Sequence, residues 1–133
     1  MNIQTAQYSI EKAIEKLGVD PEKTRGTNKN QWDLYKGKLH LMLDLFAVSE
    51  KKAFFQILSP ISDIPENECD FFKFLLEQNH TIVGASVTKF KDKIYLKNIR
   101  EISELTTEEI LNLITSTSIH AEELIQKMKE IFN

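Results

Sequence analysis

A chain of 133 residues, 41% of them hydrophobic, is long enough for one independent core, and a fold of this size buries roughly two-thirds of the surface its unfolded chain exposes. With 17 basic and 20 acidic side chains the formal net charge is −3, which leaves no positive excess to condense onto a phosphate backbone and argues against nucleic acid as a partner. Cys69 is the only cysteine, so an internal disulfide and a thiolate zinc site are both excluded.

Ile3, Ala6, Ile10, Ala13, Ile14 and Leu17 fall three or four apart and gather on one stripe of a helix, with Glu11, Lys12, Glu15 and Lys16 on the other side. The first residues lack a basic, then apolar, leader and no later apolar run reaches membrane-spanning length, so the expected address is cytoplasmic, without membrane association. Gly18 and Pro21 stop the helix, and the polar stretch through Asn30 is expected to be mobile. Trp32 opens a short strand that ends at Tyr35, before a turn at Lys36-Gly37. From Lys38 the chain alternates, with Leu39, Leu41, Leu43, Leu45 and Ala47 on one face and His40, Met42, Asp44, Phe46 and Val48 on the other. After a charged turn, Ala53, Phe55 and Ile57 alternate with Phe54, Gln56 and Leu58 until Pro60, which is expected to end the strand.

Pro65 and the acids Glu66, Glu68 and Asp70 precede Phe71, Phe72, Leu75 and Leu76, the pattern of a helix start favoured by the dipole, and predict a helix over 66–79. Val83, Ala85 and Val87 then alternate with Gly84, Ser86 and Thr88, and Lys91-Asp92-Lys93 turns the chain into Ile94-Tyr95-Leu96 as a second hairpin. Thr106 and Glu109 form a capping box at the head of a long helix, whose stripe runs from Ile110 through Ala121 and Leu124 to Phe132. The order α-βββ-α-ββ-α predicts an α+β fold: an antiparallel sheet of about five strands with three helices, residues 1–133 forming a single domain.

An odd loop of three or five residues between the second and third strands brings Leu41, Leu43 and Leu45 beside Phe55 and Ile57, the core face, whereas an even loop would mix the two sets; in either register both faces hold large apolar side chains. The opposite face then carries Met42, Phe46, Val48, Phe54 and Leu58, interrupted only by His40, Asp44 and Gln56. Two arrangements satisfy such a face: the chain's own helices lie on both sides, or the second side is an interface for a client polypeptide or a second copy. On the second arrangement Met42, Phe46, Phe54 and Leu58 are the candidate protein interface, and a fully buried Phe there contributes about 1.5–3 kcal/mol.

No catalytic constellation can be assembled. His40, His80 and His120 are isolated and fit no metal-binding spacing, and Gly26-Thr27-Asn28-Lys29 lacks the ending of a phosphate loop. Cys69 lies near a helix start, but Glu68 and Asp70 oppose thiolate formation, and it reads as a buried structural thiol. The expectation is a non-enzyme without cofactor or metal. Lys89, Lys91, Lys93 and Lys97 cluster at the second hairpin, either as a strand edge kept soluble by lysine or as a weak candidate anion patch.

Leu75-Leu76-Glu77-Gln78-Asn79 resembles the Leu-Leu-Glu-x-Asn helix end of the type III secretion chaperone-like fold, which the Tir-chaperone family shares with the bacterial YbjN family. The short glycine-containing strand that follows, the turn at Asp92, Ile94-Tyr95-Leu96, the stretch from Ile102 to Leu111 and Pro60 resemble it too. The resemblance spans most of the chain and leans to a YbjN-like member. It implies a homodimer that holds an extended client segment against apolar surface; the alternative it implies is an anion-responsive regulatory module of YbjN type.

Overall fold

The structure, a computed structural model, describes residues 2–132. Strands β1 (Gln31–Lys36), β2 (Leu39–Ala47), β3 (Ala53–Asp63), β4 (Ser86–Phe90) and β5 (Lys93–Glu101) form one antiparallel sheet in the order β1-β2-β3-β5-β4. The first hairpin turns on Gly37, whose φ of +60° at the first central position is what a tight turn between twisted strands requires. Residues 48–52 separate β2 from β3, so the loop is odd, of the two alternatives the sequence left open, and the register sets Leu43 opposite Ile57, Leu45 opposite Phe55, Met42 opposite Leu58 and Phe46 opposite Phe54.

Pro60 does not end β3, which runs on to Asp63. The ladder to β2 stops at Leu58, so the proline nitrogen falls where no β2 partner is paired, and Ser59 Oγ donates to the His40 carbonyl at 2.8 Å instead. The ladder to β5 continues past Pro60, opposite Tyr95, with a register shift before Ser62.

Helices α1 (Ile3–Lys16), α2 (Pro21–Thr24), α3 (Glu68–Thr81) and α4 (Thr107–Phe132) complete the chain, with a short 3₁₀ turn at Ile102–Glu104. The four-residue α2 makes a fourth helix where three were expected, and the segment expected to be mobile is tied down. Asp20 accepts from the Glu22 N–H, Gly26 N donates to Gln31 O at 2.8 Å, and Arg25 bridges to Trp32. The capping box is present: Thr106 Oγ1 accepts from the Glu109 N–H at 3.1 Å and donates to the Glu109 carboxylate.

The helices cover one face of the sheet. Inward residues Trp32, Leu41, Leu43, Leu45, Phe55, Ile57, Ile94 and Leu96 meet Ile10, Ala13 and Ile14 of α1 and Ile110, Ile114, Ala121 and Leu124 of α4. α3 adds Phe71 and Leu75, with Phe71 edge-on to Phe132 at 5.1 Å. Cys69 is exposed, which corrects the reading of a buried thiol: two residues from Phe71 is about 200° around the helix, the side away from the core.

Candidate protein-binding surface

Among the described residues, the other face of the sheet has no helix over it. α4 contacts β2, β3 and β5, and its buried Thr117 receives a hydrogen bond from the inward Asn98 of β5 at 3.2 Å, which places α4 on the inner face; α1 packs on α4, and α2 and α3 lie by the edge strands. Strand alternation therefore puts Met42 and Phe46 of β2 and Phe54 and Leu58 of β3 on the outer face. Their pairing brings all four together as two cross-strand pairs. Phe46 and Phe54 stack with ring centroids 6.0 Å apart, each of the four is only half-buried, and none belongs to the core cluster.

The patch is wider than these four. Pro60 extends it along β3, opposite Tyr95, and Ile99, exposed, stands opposite Gln56 on the same face of β5. Ile99 was legible as the continuation of the Ile94-Tyr95-Leu96 alternation, but its place beside Gln56 only once β5 is known to lie beside β3. Val48 falls in the turn beyond β2, largely exposed. At the β1 end the face becomes polar: His40 Nε2 lies 2.7 Å from Asp33 Oδ1, and Tyr35 stacks flat on the His40 ring at 4.4 Å.

A groove of about 750 Å³ runs beside β1, lined by Leu17, Val19, Leu34, Tyr35 and Ile114 with Lys23 and Lys36. Leu45 N donates to Asn30 O, so by alternation Trp32, Leu34 and Lys36 bond β2 while the backbone groups of Asp33 and Tyr35 turn outward, toward this groove. The near end of the same edge is closed by the Arg25–Trp32 bridge, in which Gly26 N donates to Gln31 O, and Glu11 of α1 braces it by accepting from both Arg25 Nε and Nη2 at 2.9 Å and from Trp32 Nε1 at 3.0 Å. The Arg25 guanidinium holds the Glu11 carboxyl below the usual carboxylate range against the opposing effect of burial, with the indole N–H assisting.

The four lysines do not converge. Lys89 stands opposite Ile94 and so projects on the helix-covered side at the sheet's edge, while Lys93 and Lys97 are on the outer side. Lys91 sits in the turn with φ 53° and lies over the Phe90 ring at 5.4 Å. Lys93 lies 2.9 Å from Asp63, whose hydrogen bond raises its pKa. Among the described residues, no three His, Cys, Asp or Glu side chains come together as metal ligands, and no helix is long and apolar enough to cross a membrane.

No protein-family model and no curated protein matches the chain, so the expected YbjN membership has no sequence match behind it. Solved structures do match. A chain of the crystal structure of the Yersinia pestis type III secretion chaperone SycH in complex with a stable fragment of YscM2 aligns with a TM-score of 0.62 at 17% identity, covering 89% of this chain and 98% of that one. A chain of the crystal structure of the ExsC–ExsE complex aligns with a TM-score of 0.63 at 12% identity, covering 98% and 96%. The fold is thus α+β of the type III secretion chaperone-like kind.

Proposed function

We propose that this chain is a non-enzymatic, chaperone-like protein-binding module of the cytoplasm, acting as a single domain that holds a partner polypeptide or a second copy of itself on the outer face of its sheet. The observation that carries this reading is the apolar patch of Met42, Phe46, Phe54 and Leu58, over which none of the described helices packs. The two solved structures of the same fold are complexes with a second protein, which supports it. Association has to overcome a cost of about 4–15 kcal/mol in lost freedom of motion. Two aromatic anchors at about 1.5–3 kcal/mol each reach only the lower end of that range, so the reading takes the wider patch with Pro60 and Ile99, and the groove beside β1, into the contact. Tyr35 joins the two surfaces, which gives an extended segment a continuous path from the outer face round the β1 edge.

The test is a native pull-down of the tagged protein beside its Phe46→Lys variant, with the assembly mass from light scattering and the fold from circular dichroism. The expected result is a co-purifying polypeptide or second copy with wild type that is lost with the folded variant. A wild type that emerges alone as a monomer, or a variant that unfolds, overturns the reading. The anion-responsive alternative has less behind it, since Lys89 points away from Lys93 and Lys97. A thermal-shift screen of phosphorylated metabolites is expected to show no stabilisation.

A further inference from the structure

Asn79 stands in the last turns of α3, where asparagine has little intrinsic merit, because its short polar side chain competes for backbone hydrogen bonds. Its carboxamide is engaged across space: Nδ2 donates to the Val87 carbonyl at 3.1 Å, and Oδ1 accepts from the Val87 N–H at 2.6 Å. β4 is an outermost strand, paired only with β5, where Val87 stands opposite Leu96. Backbone groups alternate in direction along an antiparallel strand, so the neighbours of Val87 bond β5 while the Val87 N–H and C=O face away, into the space a sixth strand would occupy. A carboxamide offers one donor and one acceptor in the plane of a peptide group, and here it answers both.

A further feature guards the same edge. Lys89, the next residue whose backbone faces outward, is exposed and charged, which discourages strand pairing.

We propose that Asn79 is an edge seal: its side chain fills the hydrogen-bonding positions through which another strand would join β4, so that the sheet does not grow at that edge. This goes beyond the binding role proposed for the outer face and does not depend on it. The seal is read by amide hydrogen exchange at Val87, together with light scattering over a range of protein concentrations, on wild type and Asn79→Ala. The expected results are a Val87 amide as protected in wild type as the β5-bonded Thr88 amide, and faster in the variant by about tenfold, the equivalent of one ordinary hydrogen bond. Thr88 keeps its protection, and the mass of Asn79→Ala rises with concentration above the wild-type value. Adding Lys89→Pro, which removes the neighbouring outward N–H, returns the mass to that of wild type. Should Asn79→Ala not fold, Asn79→Asp retains an acceptor for the Val87 N–H but no donor for its carbonyl, and Val87 protection is expected to persist. A Val87 amide that exchanges freely in wild type, or a folded Asn79→Ala whose mass never departs from wild type, overturns the proposal.

Discussion

Glu11 joins three pieces of chain that lie far apart in sequence: its carboxylate takes both Arg25 nitrogens and the Trp32 indole, and so ties α1, the end of α2 and the edge strand β1. Arg25 is half exposed, so solvent screens its share, and replacing Glu11 by Gln, which can still accept from the indole, is expected to cost about 1 kcal/mol in urea denaturation. The sign with pH is definite. Because the folded carboxyl titrates below its unfolded value, its contribution is present above the ordinary glutamate pKa of about 4.3 and is lost as pH falls through the lowered folded value. The Glu11→Gln variant is therefore expected to converge on wild-type stability in acid, and a deficit that stays constant below that range contradicts this. None of the arrangement was legible beforehand: Glu11 read as one of several solvated charges on a helix, because the partners of a charge depend on tertiary placement that periodicity does not encode.

Among the elements, α3 separates core from surface within two adjacent leucines. Leu75 is buried beside Phe71, while Leu76 is 70% exposed. Leu75→Ala is expected to cost about 2–5 kcal/mol, and Leu76→Ala less than about 0.5 kcal/mol, as read from denaturation midpoints; comparable losses would mean that the helix sits in a different rotation. The inward face of the first two long strands was legible for any odd loop, because such loops differ by two residues and keep Leu43 and Leu45 on the side of Ile57 and Phe55, but the register itself was not, since three-residue, five-residue and even loops all fit the sequence. Pro60 misled because a proline ends a strand only where the strand on the side of its nitrogen needs an N–H, and β2 has already left the ladder there. The four residues of α2 are too few to display a helical period, so only the cap at Asp20 and the proline after it could have announced them.

At the scale of the molecule, a sheet covered by helices on one side only separates the residues that make the fold from those the proposed function assigns to a partner. Met42, Phe46, Phe54 and Leu58 were placed on one face from alternation alone, whereas Tyr95 and Ile99 needed the β3–β5 pairing, which spans the intervening residues 64–92 and has no local signature. The division predicts that replacing all four by Thr, a residue that keeps strand propensity, leaves the fold standing. Two cross-strand pairs are lost, at about 0.2–1 kcal/mol each, whereas four truncations in a core would remove several times that, at about 2–5 kcal/mol apiece. The urea midpoint is therefore expected to fall slightly with an unchanged slope, since the area exposed on unfolding barely alters. Partner capture is expected to disappear. A collapse of the midpoint would place these side chains in the core, and intact capture by the folded quadruple variant would move the binding surface elsewhere, with the groove beside β1 as the first place to look.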